Sequence, residues 1–289
     1  AVYAVLNRIK GAYAMGILCS DNPGQMIAAR KDAPLLIGYG EDGNYIASDV
    51  TALLAHTRTV AYMEDDEVAV ITADDVQIFD RDRFQLEKEK HEIEWDVSAA
   101  EKGGYAHFML KEIMEQPEAV RKTISPRLAD GEIVLEELRD AKELMKNISR
   151  IYIVACGSAY HVGMVGKYAL EKMMHIPVEA CLASEFRYSE PILGESSLVI
   201  IISQSGETLD SMAALREAKR RGSKVLSIVN VMGSSIARES DYVLYTWAGP
   251  EIAVATTKAY TTQMVLLLMF GVYLAKQLDR MEQEEYMAV

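Results

Sequence analysis

The residues best suited to chemistry in this 289-residue chain sit in three short hydroxyl-rich segments, and the first is Ser203-Gln204-Ser205-Gly206-Glu207-Thr208. It follows the continuous apolar run Leu198-Val199-Ile200-Ile201-Ile202 and precedes a helical pattern. Hydroxyls, an amide and a glycine that lets the backbone turn tightly thus gather where a helix begins. Free N–H groups and the helix dipole favour an anion there. The arrangement is a phosphate cradle without a lysine. Ser205 or Thr208 could also serve as a plain helix cap with Glu207 in the first turn, but a cap needs one hydroxyl and this loop offers more.

The second segment, Cys156-Gly157-Ser158-Ala159, follows an apolar strand and opens a helix at Tyr160. Gly157 admits close approach of a ligand, and Ser158 can reach across a sheet crevice towards the first loop. Neither G-x-G-x-x-G nor G-x-x-x-x-G-K-[ST] is present, which disfavours a nucleotide. Cys156 has no evident base, so a small buried residue at a strand end is its simpler role. The third segment, Glu251-Ile252-Ala253-Val254-Ala255-Thr256-Thr257-Lys258, precedes a long apolar helix. Thr256 or Thr257 reads equally well as that helix's cap, with Lys258 in solvent. None of the five histidines falls at metal-ligand spacing, so no metal and no cofactor is expected.

These segments need a scaffold that brings strand ends together. From residue 150 onward, apolar strands over 150–155, 177–181, 197–203, 224–230 and 242–246 alternate with helical stretches over 160–174 and 209–221. That alternation predicts an α/β fold with a doubly wound parallel sheet, whose ligand lies beyond the carboxyl ends of the strands. Two further helices are expected over 107–116, stopped by Pro117, and over 133–146. The earlier part reads as antiparallel hairpins, with strands over 12–19, 25–30, 35–39, 44–48, 60–62, 67–72 and 76–80 and a short helix over 49–56. Charges dominate from Arg81 to Glu94 and suggest a solvated linker. The expected organisation is therefore a β-rich domain over 1–82, a linker over 83–103 and an α/β domain over 104–280.

Composition narrows the partners. Asp and Glu number 43 against 30 Lys and Arg, a net charge of −13, and no basic cluster interrupts it. Nucleic acid is excluded on that ground. Cys19, Cys156 and Cys181 are an odd set without CxxC spacing, which suits a reducing cytoplasm. The apolar run 264–274 is too short to cross a bilayer and reads as a core helix, so no membrane is expected. With the helix over 160–174 it is more apolar than one sheet face requires, which predicts a homodimer. The chain starts at Ala1 in mid-pattern and ends in a charged stretch, so a fragment is expected.

The segments CGSA, SQSGETLDS and EIAVATTKAYTTQ, in this order and at these separations, resemble the first sugar-isomerase half of the glucosamine-6-phosphate synthase family. GYAHFMLKEIMEQPEAV resembles the start of that family's isomerase domain. KGAYAMGIL, ARKDAPLLIG, ASDVTALLAHT and VAYMEDDEVAVI resemble the later part of its glutaminase domain. The resemblance implies a SIS-type parallel sheet preceded by an antiparallel remnant of an N-terminal-nucleophile glutaminase domain. It also implies a role in making glucosamine 6-phosphate from fructose 6-phosphate and glutamine.

By the same resemblance, Ser203, Gln204, Ser205 and Thr208 would hold the phosphate of a hexose 6-phosphate, fructose 6-phosphate or glucose 6-phosphate. Cys156, Gly157, Ser158, Val254 and Thr256 would line the sugar. Ala159 stands where the family usually has a second hydroxyl, and Thr256 where it often has Ser. The family's glutaminase nucleophile is an N-terminal Cys where this chain has Ala1, and its Glu, His and Lys for the sugar chemistry come from the second isomerase half and the tail. The only carboxylates close to the loops in sequence are Glu207 and Glu251, so the catalytic set is expected to be incomplete here. A phosphosugar-sensing module of a regulator and a stand-alone sugar-phosphate isomerase are the alternatives. The first would carry a basic helix-turn-helix domain, and the second would not need residues 1–82.

Overall fold

The computed structural model describes residues 1–93, 102–141, 145–282 and 286. The chain divides into two units, Ala1–Glu101 and Lys102–Val289.

The first unit opens with a short helix, α1 (Val2–Leu6), too brief to leave a periodic signal. Two antiparallel sheets follow. One has the order β1-β2-β6-β7-β8, with β1 at Tyr13–Cys19, β2 at Asn22–Lys31, β6 at Val68–Ile71, β7 at Val76–Phe79 and β8 at Gln85–Leu86. The other has the order β4-β3-β5-β9, with β3 at Leu36–Tyr39, β4 at Asn44–Ala47, β5 at Thr59–Tyr62 and β9 at His91–Glu92. Ala28, Ala69, Ile71 and Ile78 of the first sheet meet Ile37 of the second, with Leu35 and Met63, in one core. The helix expected over 49–56 is a single 3-10 turn, Val50–Ala52, capped by Asp49, which accepts from the Thr51 N–H at 2.7 Å.

Residues read from charge as a linker contribute two strands to these sheets. Ile78 pairs with Leu86 and Val60 with His91. Edge pairing uses backbone groups and tolerates charged side chains, so the charge pattern conceals it. The remainder of that expected linker, 94–101, lies outside the described residues.

The second unit starts with α2 (Phe108–Ile124), which runs through Pro117 instead of stopping there. Proline has no N–H for the carbonyl four residues back. That carbonyl, Ile113 O, accepts instead from the side-chain amide of Gln116 at 3.0 Å. The helix expected over 133–146 is also absent at its start. Strands β10 (Leu128–Ala129) and β11 (Glu132–Ile133) form a hairpin, and a 3-10 turn occupies Glu136–Ala141. The hairpin turns on Asp130-Gly131, both at positive φ (53° and 77°), the pair favoured in two-residue hairpin loops. Residues 142–144 of that expected helix lie outside the described residues.

The central sheet is entirely parallel, in the order β13-β12-β14-β15-β16. Its strands are β12 (Arg150–Ala155), β13 (Val178–Leu182), β14 (Ser197–Ser203), β15 (Lys224–Val229) and β16 (Tyr242–Tyr245). Helix α3 (Gly157–Met174) follows β12, α4 (Ala183–Phe186) follows β13, α5 (Leu209–Arg220) follows β14, α6 (Ser235–Glu239) follows β15, and α7 (Lys258–Gln277) comes after β16. Leu198, Ile200 and Ile202 pack with Leu170, Leu267 and Phe270 on one face. Val199 and Ile201 pack with Phe186, Met212 and Leu215 on the other. Every residue of β14 is buried, as a central parallel strand covered on both faces requires.

By length and composition α7 could cross a membrane, with mean hydropathy 1.2, yet 72% of its apolar window is buried inside this chain. It packs against both α3 and α2. This mutual packing accounts for the apolarity that the sequence alone assigns to a dimer interface. α3 and α7 also come very close: a Cβ placed on Gly166 would lie 2.3 Å from Leu267 Cδ2.

Candidate functional site

The strand order reverses between β12 and β14, and in such a sheet a crevice opens beyond the carboxyl ends of those two strands. A cavity of about 230 Å³ is lined by Cys156, Ser158 and Ala159 after β12, by Ile202 to Ser205 and Thr208 at the end of β14, and by Val254, Thr256 and Gln263. Of the nine residues assigned to the sugar phosphate from the sequence, all line it except Gly157, whose φ of +54° turns the chain from β12 into α3, while Gly206, Glu207, Glu251, Thr257 and Lys258 of the same segments do not. Ala159 presents a methyl group. Ile202 and Gln263 also line the cavity without having been singled out from the sequence; the signal for Gln263 was an amide immediately before the apolar run 264–274, and it is 2% exposed.

The loop after β14 is held in shape by its own hydroxyls. Ser203 Oγ accepts from the Gly206 N–H at 3.1 Å and shares a hydrogen bond of 3.1 Å with Thr208 Oγ1. Ser205 Oγ accepts from the Glu207 N–H at 3.2 Å. Thr208 is the N-cap residue of α5, yet its side chain makes no cap bond. Capping therefore does not consume the Thr208 hydroxyl, and the first turn of α5 keeps uncapped N–H groups of the kind that attract anions.

A second layer fastens this loop. The Asn230 N–H donates to Gln204 O at 3.1 Å and the Ile236 N–H to Gly206 O at 3.0 Å. Glu207 Oε1 accepts from the Ser235 N–H at 2.7 Å. The Asn230 side chain extends the network, accepting from Thr246 Oγ1 and the Ala248 N–H at 2.9 Å each and donating to Gly249 O at 2.7 Å. One residue, through its backbone N–H and its side-chain amide, thus ties together the ends of β14, β15 and β16.

The third segment departs from its expected capping. Glu251, not a threonine, caps α7: its carboxylate accepts from the Thr257 N–H at 2.8 Å, the Ala259 N–H at 3.2 Å and Thr256 Oγ1 at 2.6 Å. Three donors on one carboxylate satisfy the orphan groups of the helix start better than a hydroxyl could. Lys258, expected in solvent, is 3% exposed and paired with Glu115 at 2.7 Å. The two carboxylates within the loops, Glu207 and Glu251, are therefore occupied with backbone groups, whereas Asp210 in the first turn of α5 lies near enough to Cys156 to disfavour its thiolate.

Burial pushes the Cys156 thiol above its ordinary value, partly offset by the Ser211 hydroxyl 3.9 Å away. Cys181 is pushed further, up to about 11, again by burial. The thiolate is the reactive form, so Cys156 is a poor nucleophile at neutral pH. In peptide mapping after iodoacetamide at pH 7.5, exposed Cys19 is expected to be alkylated well before Cys156. Cys156 labelling as fast as Cys19 would reveal an activated thiol. Among the described residues, no group of three or more His, Cys, Asp or Glu side chains is arranged to hold a metal ion.

Residues 144–273 match the SIS domain family. The chain is 52% identical over 286 residues to the isomerizing glutamine–fructose-6-phosphate aminotransferase of Clostridium acetobutylicum, covering 99% of this chain and 47% of that protein. It is 55% identical over 272 residues to the enzyme of the same name from Caldanaerobacter subterraneus subsp. tengcongensis, covering 94% of this chain and 45% of that protein. Among solved structures it resembles the C-terminal domain of glucosamine-fructose-6-phosphate aminotransferase from Francisella tularensis. That match has a TM-score of 0.63 and 46% identity, over 65% of this chain and 53% of the other. The chain spans about half the length of the curated relatives it matches.

Proposed function

We propose that the chain is part of an isomerizing glutamine–fructose-6-phosphate aminotransferase, and that its second unit is the sugar-phosphate-binding part of an enzyme making glucosamine 6-phosphate from fructose 6-phosphate and glutamine. The observation that carries this reading is the cavity itself. It lies at the reversal of strand order and gathers Ser203, Ser205 and Thr208 at the uncapped start of α5. Ser203, Gln204, Ser205 and Thr208 hold the phosphate, and Cys156, Gly157, Ser158, Val254 and Thr256 surround the sugar. The first unit, which runs past residue 82 to include β8 and β9, is the later part of an N-terminal-nucleophile glutaminase domain, and residues 104–280 form the SIS domain. The two antiparallel sheets of the first unit support that assignment and disfavour a regulator with a helix-turn-helix domain. The protein works in the cytoplasm as a homodimer, away from membranes and nucleic acid, and exposed Val165 and Tyr168 on α3 support the dimer.

Titration calorimetry of the chain with fructose 6-phosphate, glucose 6-phosphate and unphosphorylated fructose tests the reading. Both phosphates are expected to bind and fructose is not, because the anion supplies most of the recognition. Equal binding of fructose, or no binding of either phosphate, would overturn it. With saturating fructose 6-phosphate and ammonium, this chain is expected to form no glucosamine 6-phosphate. Moving a proton between sugar carbons needs a free base, and Glu207 and Glu251 are committed to backbone donors.

A further inference from the structure

We infer that Glu112 of α2 is a positioning residue for the sugar-facing side of the cavity, acting through the loop that carries Val254 and Thr256; this rests on the reading of the cavity as a hexose-phosphate site. Glu112 is 2% exposed, and its Oε1 accepts from the Ile252 N–H at 2.7 Å and the Ala253 N–H at 3.2 Å. Its Oε2 is buried and, among the described residues, has no hydrogen-bond partner. A buried carboxylate with one oxygen unspent is costly, and no general need of the fold calls for it at the middle of a helix. What it does is hold two consecutive amides of an irregular loop that has no strand or helix to satisfy them.

The rest of that face of α2 makes the same connection. Glu115 pairs with Lys258 at 2.7 Å, and Gln116 Oε1 accepts from Thr261 Oγ1 at 2.6 Å. Positions 112, 115 and 116 share one side of the helix. Glu112 grips the loop just before Val254, and Glu251 grips it from Thr256 onward. Val254 is fully exposed at the tip, so its place at the cavity depends on those two anchors and not on packing. The phosphate loop has separate fastenings, from Asn230, Ser235 and Ile236. The two sets of fastenings meet at Asn230, which also holds Ala248 and Gly249, but Glu112 reaches only residues 252 and 253 on the sugar side.

The test compares fructose 6-phosphate with inorganic phosphate as calorimetric probes of the whole chain. Glu112→Ala is expected to weaken fructose 6-phosphate by about tenfold while leaving inorganic phosphate within about twofold. Glu112→Gln, which keeps an acceptor oxygen, should recover most of the loss. Should the alanine protein not fold, Glu112→Asp keeps the charge, withdraws it from both amides, and is read by the same ratio. Equal weakening of both probes, or no change in either, would overturn the inference while leaving the site intact. A wild-type chain that binds neither probe would instead remove the site, and the role of Glu112 with it.

Discussion

Thr208→Val combined with Ser205→Ala is expected to lower the affinity for fructose 6-phosphate by about a hundredfold or more. Each change removes a hydroxyl offered to a charged group, and such a bond contributes about 1.5–3 kcal/mol, or roughly tenfold to a hundredfold in affinity. The Thr208 hydroxyl is free for this role because it does not cap α5. Its bond with Ser203 is one a phosphate oxygen could join without breaking the loop, since Ser203 also accepts from Gly206. Thr208→Ser keeps the hydroxyl and serves as the control. Calorimetry showing unchanged affinity in the double variant would reject this loop as the phosphate site.

Gly206→Ala should damage the same loop from the inside. Gly206 has a φ of +68°, and a Cβ there would meet Ser234 Oγ at 2.1 Å and Ser234 Cβ at 2.5 Å. Ser234 is fully buried and its hydroxyl makes no hydrogen bond among the described residues, so it cannot swing aside into solvent. Left-handed backbone at a residue with a side chain costs about 1–2 kcal/mol, and forced overlap in a packed region about 1–3 kcal/mol. The variant is therefore expected to lose about 2–5 kcal/mol in urea unfolding and to lose phosphate binding. Adding Ser234→Gly should recover the overlap portion and leave the backbone portion. A Gly206→Ala protein as stable as the parent would show that the loop shifts without penalty.

The parallel sheet and the cavity loops were legible because local signals and tertiary demands coincide in that region. β14 is apolar throughout, as burial on both faces requires, and the residues after it had no role in a strand or helix interior. What escaped was decided by partners distant in sequence. Pro117 reads as a stop, yet Gln116 beside it supplies the missing donor to Ile113. Lys258 reads as solvated, yet a carboxylate on α2 buries it. Threonines read as the cap of α7, and Glu251 takes that place from six and eight residues away. The short strands β8 and β9 are two-residue edge pieces within a charged stretch, too brief to leave an alternation to read. Glu112 looked like one more acid on an amphipathic helix, because nothing local points to amides 140 residues downstream.

That last span bears on how the protein is made. The loop after β14 and its direct contacts with Asn230, Ser235 and Ile236 lie within residues 203–236, so they leave the ribosome early. The sugar side joins α2 to residues 252–261 and to α7, so it can close only after the last helix has left the exit tunnel. Contacts so far apart in the chain form late and slowly. During synthesis the nascent domain thus passes through a stage with a formed anion cradle and an open sugar side. If the cavity takes a sugar phosphate as proposed, a small phosphorylated metabolite present at that stage would be held by its phosphate alone, and discrimination between sugars would begin only when α7 docks.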